Sequence, residues 1–323
     1  MKKRLYCIFI DYEKAFDLVN RTFLWQKLVN TGVGGRVLMV VKDMYKKAKS
    51  CVQWKCKMSD YFSCSAGVRQ GENLSPLLFS IYLNDLKTFV DKHVDGLQIF
   101  KTQAEGLDID TNDIEILYRM FILLYADDTV IFAETPESLQ SAINAMYEYC
   151  KKWDLKMNVS KTKVIVFSRR KIRNLPNFFI NGEKIEVTFD FKYLGIKFNY
   201  NGSFQLAQKD LYDRANKAMF SLLKKIRNLM LPLDIQLDLF QKTIVPILLY
   251  GSEIWCPQMS DTIRKLQLRF FKIILKVGKT TSSNIVFGEL GQFPLDVPAK
   301  CRMLSFWYKL AYGDNKGKLS SVM

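Results

Sequence analysis

The chain has 323 residues, 49% of them hydrophobic and 13% aromatic, a composition that suits one large or two ordinary folded domains and not a disordered tail. Lys and Arg number 48 against 32 Asp and Glu, and the resulting charge of +16 favours a polyanionic partner, nucleic acid or an acidic membrane surface. No apolar run reaches the roughly 18 residues of a membrane span, and seven cysteines without a disulfide-like rhythm point to a reducing intracellular compartment, nuclear or cytoplasmic.

Leu5 to Ile10 (LYCIFI) is a β-branched and aromatic run closed by Asp11, the pattern of a buried strand and too short for a signal peptide. TFLWQKLVN and RVLMVVKDMYKKA have helical spacing and are separated by Thr31-Gly32-Val33-Gly34-Gly35. Gln53 to Cys64 alternates loosely and predicts a hairpin turning at Ser59-Asp60. After the loop GVRQGENLSP, Ser75-Pro76 opens a helix with proline in its first position, carried to about Lys92 by Leu78, Phe79, Tyr82, Leu83 and Leu86. Residues 96–115 are polar and irregular, an inserted loop. Ile116 to Tyr125 and Thr129 to Ala133 are expected as two strands around a tight Ala126-Asp127-Asp128 hairpin.

Thr135-Pro136 caps a helix with Leu139, Ile143, Met146, Cys150 and Trp153 on one stripe. Lys163 to Ser168 reads as a strand. FFINGEKIEV reads as a hairpin, since Asn181-Gly182 suits a two-residue turn with positive φ. FKYLGIKFN reads as one further strand, and from about Phe204 helical periodicity dominates, beginning with YDRANKAMFSLLKKIRNL. The expected organisation is a mixed α/β domain over 1–200 and a helical domain over 201–323. The second of these holds 18 Lys and Arg against 9 Asp and Glu.

In LLYADDTVIFA, residues 123–133, two aspartates interrupt an apolar run. Burying either unpaired costs roughly several kcal/mol. A hairpin presenting Asp127 and Asp128 beside a strand that ends in Asp11 brings three carboxylates to one sheet edge. A divalent cation among them offsets that charge. Oxygen-only ligands suit Mg²⁺ or Mn²⁺, and two such ions stabilise the attacking and leaving oxygens of phosphoryl transfer. Cys51, Cys56, Cys64 and the sole histidine, His93, fit no usual zinc-ligand spacing and read as ordinary reduced side chains.

FIDYEKAFD around Asp11, GVRQGENLSPLLFSIYLNDL, YADD at 125–128, LKMNVSKTK and FKYLGIKF occur in the order found in reverse transcriptases. The chain most resembles those of non-LTR (LINE-type) retrotransposons, from residue 1 to about 255. The resemblance implies an α+β right-hand polymerase palm, with an antiparallel sheet and helices packed on one face, followed by a helical thumb. It implies an RNA-directed DNA polymerase that uses two Mg²⁺ or Mn²⁺ ions, an RNA template, a DNA primer and dNTP, and no membrane.

By the same resemblance, Asp11, Asp127 and Asp128 are the metal-binding carboxylates. Phe16 is the bulky residue that excludes a 2′-hydroxyl, beside the plainer reading of a core phenylalanine. Arg69, Gln70 and Gly71 contact nucleotide and template. Lys161 protonates the departing pyrophosphate, with Lys163 as its rival. Tyr193, Leu194 and Gly195 grip the primer terminus, and Tyr125 either packs under the primer or fills the core. In the helical half, Lys217, Lys224, Lys225 and Arg227 face the phosphate backbone of a primer–template duplex.

Glu72-Asn73 replaces the family's common Asp-Pro. The family's fingers region precedes the first catalytic strand, and the chain begins almost at that strand, so an N-terminally truncated piece is expected, either a truncated genomic copy or an incomplete gene model. The alternative that this suggests is a catalytically incomplete fragment that only binds RNA or an RNA–DNA hybrid. A maturase-like RNA-splicing cofactor shares the palm but needs its own RNA-binding domain after the thumb.

Overall fold

The structure, a computed structural model, describes residues 4–92, 97–99, 118–120, 122–125, 128–170 and 172–312. The chain divides into two units, Met1–Phe189 and Asp190–Met323, each with its own hydrophobic core. The division falls before the 190–199 segment and not at residue 200, because that segment bonds to side chains of the helical unit.

In the first unit, β1 (Leu5–Ile10) leads into helices α1 (Arg21–Asn30) and α2 (Gly35–Lys46). Four two-residue strands follow, β2 (Lys49–Ser50), β3 (Gln53–Trp54), β4 (Lys57–Met58) and β5 (Phe62–Ser63). They nest as two ribbons, β2 on β5 and β3 on β4. The ribbon turns at Lys55-Cys56, with Lys55 at φ 54°, and not at Ser59-Asp60. Ser59 instead faces Val52, donating its amide to the Val52 carbonyl and accepting the Val52 amide on Oγ.

The expected single helix after residue 75 is two, α3 (Leu74–Tyr82) and α4 (Leu86–Asp91). Pro76 is its third residue and not its first, a place where the missing N–H still has no intrahelical partner to lose. β6 (Leu97–Ile99) pairs with β7 (Tyr118–Met120); most of the expected inserted loop lies outside the described residues. β8 (Ile122–Tyr125), β9 (Asp128–Ala133), α5 (Pro136–Lys152), β10 (Lys163–Phe167), β11 (Phe178–Ile180) and β12 (Glu183–Thr188) complete the unit. Thr135 caps α5 by accepting the Ser138 amide on Oγ1 at 3.1 Å.

These strands form one six-stranded sheet in the order β11-β12-β10-β1-β9-β8. The sheet is mixed, not antiparallel throughout, because β10 and β12 run parallel. The chain leaves β10, skips one strand position, descends as β11 and turns at Asn181-Gly182 (φ 47° and 82°). It then returns in the skipped position as β12.

Alternate residues of the central strands, Tyr6, Ile8 and Ile10 with Ile131, Ala133, Val164 and Val166, pack with Leu24, Phe79, Tyr82, Ile143 and Met146 of the helices. Cys7, Phe9, Val130 and Ile165, on the opposite face, are buried too, which is why β1 reads as an unbroken apolar run.

Lys27 of α1, 4% exposed, ties the helices together. It pairs with Asp85 at the α3–α4 corner, bonds the Tyr149 hydroxyl at 3.1 Å and lies 3.7 Å from the Trp153 ring centroid. Such a charge is tolerated because it is both paired and cradled by π-faces.

The second unit begins with a hairpin, β13 (Asp190–Tyr193) and β14 (Ile196–Asn199), where a single strand was expected. The helices are α6 (Gln205–Leu229), α7 (Leu233–Thr243), α8 (Val245–Leu248), α9 (Ser252–Trp255), α10 (Asp261–Ile274), α11 (Ser283–Glu289) and α12 (Asp296–Tyr312). Phe240, Phe270 and Phe271 are fully buried at their centre, with the Phe240 and Phe270 rings stacked at 4.3 Å. No described helix is long and apolar enough to cross a membrane.

Burial raises the pKa of Cys150 to about 12 and also pushes up Cys7, Tyr82 and Tyr149. The unfolded chain releases these protons near 9 for thiols and 10 for phenols, while the folded chain keeps them. Their stabilisation is whole below pH 9 and is lost as pH rises beyond it. Lys27, lowered by burial, acts oppositely, but Asp85 offsets its shift. The urea midpoint is expected to fall steadily above about pH 9; a midpoint that stays level to about pH 10.5 would contradict this account.

Candidate active site

Asp11 follows the last residue of β1, and its side chain is 39% exposed. Ile10 pairs with Thr129 and Tyr125 with Asp128, so the register carried one step further sets Asp11 opposite Asp128. Asp128 is half-buried; Asp127 and the Tyr125 side chain lie outside the described residues. The Asp11 backbone is fixed on both sides. Its N–H donates to Thr162 Oγ1 at 3.2 Å, and its carbonyl accepts the Asn158 amide at 2.8 Å. Asn158 Oδ1 also accepts from the Ser160 hydroxyl and the Lys161 amide, closing a compact turn under Lys161.

Lys161 is 70% exposed and its Nζ lies 3.8 Å from Asp11 Oδ2. Lys163 is engaged elsewhere, donating at 2.6 Å to both the Ser160 carbonyl and Glu186 Oε2. The two lysines are thus distinguished by geometry: one borders the acids, the other staples β10 to β12. Thr162, fully buried beneath Asp11, is a positioning residue that sequence reasoning missed, although it lies inside the quoted LKMNVSKTK segment.

Phe16 is half-buried, its ring 4.9 Å from that of Phe79, and its carbonyl accepts the Val68 amide. This brings it beside the 67–71 loop. Gln70 Nε2 reaches Asp17 Oδ1 at 3.2 Å, and Gly71 adopts φ 87° with open space where a Cβ would stand. Arg69 spans Glu72 Oε1 and the Met44 carbonyl, both at 2.8 Å, and the Glu72 bond raises its pKa.

Arg21 holds the approach to this loop. Its Nε donates to the Gly67 carbonyl, Nη1 to those of Tyr45 and Cys64, and Nη2 to that of Ala66. One guanidinium therefore satisfies three backbone acceptors of a segment without regular structure and one at the end of α2. No sequence signal marked it, because a lone arginine at a helix start reads as solvated charge. Gly67 completes the clamp: at φ 79°, a Cβ there would stand 2.5 Å from the Asp17 carbonyl oxygen.

In the helical unit, the turn Leu194-Gly195 (φ 46° and 81°) follows Tyr193. Tyr250 Oη donates to the Leu194 carbonyl at 2.8 Å and Arg214 Nη2 to the Gly195 carbonyl at 3.1 Å. Sequence reading missed both anchors. Lys217, Lys224, Lys225 and Arg227 are exposed on α6, away from its buried stripe of Leu211, Ala215, Met219, Leu222, Leu223 and Ile226. Among the described residues no group of three or more His, Cys, Asp or Glu is arranged to hold a metal. His93 of the weighed zinc set lies outside the described residues, and Cys64 instead donates to Ser50 Oγ at 3.1 Å.

Residues 1–198 match the family model for reverse transcriptase (RNA-dependent DNA polymerase). The chain belongs to the reverse transcriptase family. It is 27% identical over 278 residues to the RNA-directed DNA polymerase from mobile element jockey of Drosophila funebris, covering 83% of this chain and 28% of that protein. It is 24% identical over 266 residues to a probable RNA-directed DNA polymerase from transposon X-element of Drosophila melanogaster, covering 81% and 27%. These are polymerases of non-LTR retrotransposons, the branch that the motifs resemble. The chain spans less than a third of the length of either relative. A telomerase from Candida Tropicalis solved with a fragment of telomeric RNA aligns with 100% of this chain and 50% of its own, at 14% identity and a TM-score of 0.42.

Replacing Gly67 with alanine is expected to cost on the order of 2–4 kcal/mol, since both the positive φ and the Asp17 backbone oppose a Cβ. The urea midpoint measures it, with Gly71→Ala, which meets only the φ penalty, as the milder comparison.

Proposed function

We propose that this chain is the polymerase part of a reverse transcriptase that copies RNA into DNA, with the sheet unit as palm and the helical unit as thumb. The observation that carries it is the β1–β9 register, whose last pair, Ile10 with Thr129, is followed by Asp11 and preceded by Asp128 at one sheet end, with Lys161 Nζ 3.8 Å from Asp11. A half-exposed carboxylate pair with only oxygen donors fits a hard divalent cation, and Asp127 would join them in holding it. Two bound Mg²⁺ or Mn²⁺ ions would activate the primer 3′-hydroxyl and neutralise charge on the leaving pyrophosphate.

The chain's own residues do the rest. Thr162 and Asn158 hold Asp11 in place through its backbone, so the carboxylate needs no rearrangement to engage substrate. Lys161, exposed and 3.8 Å from Asp11 Oδ2, supplies a proton to the departing pyrophosphate, the general-acid role. Phe16 presents a ring braced by Phe79 to the sugar of the incoming nucleotide, where a 2′-hydroxyl would clash. Arg69, Gln70 and Gly71 receive that nucleotide and its template base; the bare Gly71 backbone permits close approach. Tyr193, Leu194 and Gly195 hold the primer end. Lys217, Lys224, Lys225 and Arg227 contact duplex phosphates without regard to sequence.

Primer extension on an RNA template with Mg²⁺ or Mn²⁺ tests this reading. Asp11→Asn and Asp128→Asn are each expected to abolish extension, and an unchanged rate in either variant would refute the site. Lys161→Ala should slow the chemical step by roughly 10²-fold or more, whereas Lys163→Ala should leave it within a few-fold. Equal losses from both would remove Lys161 from its role. Duplex binding that survives without any extension in the wild type would favour the alternative of a binding-only fragment.

A further inference from the structure

A second concave surface lies in the sheet unit, apart from the acids. It has a volume of about 760 Å³ and is lined by Arg21, Trp25, Lys42, Tyr45, Lys46, Lys47, Ala48, Lys49 and the Ser63-Cys64-Ser65 strand end. Five of these residues are cationic and none is acidic. Lys42, Lys46, Lys47 and Lys49 are exposed and form no ion pair among the described residues. Trp25 is half-buried, its ring 6.0 Å from that of Tyr45, so an aromatic surface is held rigidly beside the lysines.

We infer that this pocket binds single-stranded nucleic acid, its lysines on successive phosphates and Trp25 against a base or sugar. Like charges gathered around a hollow without counter-charges repel one another, and a polyanion relieves that repulsion. A small anion would need one or two of the lysines; four lining one hollow suit a chain of phosphates. A convex duplex does not enter such a hollow, whereas an unpaired strand does and offers bases for aromatic contact.

The pocket also leads somewhere. Cys64 and Ser65 line it, and the same segment, clamped by Arg21 at the Cys64, Ala66 and Gly67 carbonyls, continues into Arg69-Gln70-Gly71. On the polymerase reading above, which this part of the inference rests on, the bound strand is unpaired template on its way to the copying site.

The test is binding of a fluorescein-labelled single-stranded RNA of about 12 nucleotides to the full chain, without metal or dNTP, across a salt series. The variant carrying Lys42→Ala, Lys46→Ala, Lys47→Ala and Lys49→Ala should lose at least about tenfold in affinity at low salt. Its salt slope should fall by about two to four. A parallel variant with Lys217, Lys224, Lys225 and Arg227 changed to alanine should lose duplex binding more than single-strand binding. An unchanged single-strand slope in the pocket variant overturns the inference, as does binding of anionic lipid vesicles in preference to RNA.

Should the quadruple variant fold poorly, tryptophan emission gives a second readout. RNA should quench the wild type, and Trp25→Phe should remove most of that quenching; full quenching in Trp25→Phe overturns the inference. Because no step requires catalysis, failure of primer extension would count against the polymerase reading and leave this result standing.

Discussion

The register of β1 between β9 and β10 is the constraint on which everything else in the sheet unit rests. Pairing of Ile10 with Thr129 sets Asp11, the next residue, in register with Asp128 on the adjacent strand. Pairing of Phe9 with Lys163 decides that the turn carrying Lys161 comes up under Asp11. Strand side chains alternate, so a slip of one residue would put Cys7 and Phe9 where Ile8 and Ile10 pack against the helices and turn Asp11 to the wrong face. The apolar contacts of β1 on both faces oppose such a slip. Packing distributed over several strands therefore helps to hold the acids at this sheet end, beside the Lys161 contact to Asp11.

Around this frame, two cations do structural work that would otherwise fall to secondary structure. Lys27 joins α1, the corner between α3 and α4, and α5 through Asp85, Tyr149 and the Trp153 ring. Removing Asp85 alone would leave a buried ammonium without its counter-charge, a much worse situation than losing both partners together. Arg21 performs the same service for backbone, drawing residues 64–67 against the start of α1. The loop beyond it is thereby given a defined shape although it has no ladder of its own.

Much of this was legible in the sequence where the signal is local. LYCIFI announced a strand, Asn181-Gly182 a tight turn and Thr135-Pro136 a cap, because each depends on the conformational preference of a few adjacent residues. The order of motifs, not any single one, pointed to the family. What escaped was set by partners far along the chain. The ribbon turns at Lys55 because Ser59 is held across from Val52, which no dipeptide preference reveals. FKYLGIKFN looked like one strand because Leu194 is an unusual residue for positive φ, tolerated where Tyr250 and Arg214 grip the turn. The helix near residue 80 breaks where Asp85 meets Lys27, a tertiary demand overriding good helical spacing. The parallel pair of β10 and β12 reflects a skipped strand position, and strand patterns carry no record of that.

The Arg21 clamp also divides the charges of its pocket into two physical kinds. Four of the five guanidinium N–H groups are spent on carbonyls, so Arg21 has little left with which to contact a ligand. Its positive charge nevertheless stays at the pocket wall, immobile and already ordered. The four lysines are exposed, and each must surrender up to about 2 kcal/mol of rotamer freedom to meet an anion. Arg21 surrenders nothing, having been frozen when the chain folded. It acts as a preorganised source of field, setting the sign of the potential before any strand arrives, while the lysines supply contacts that can follow the strand as it moves.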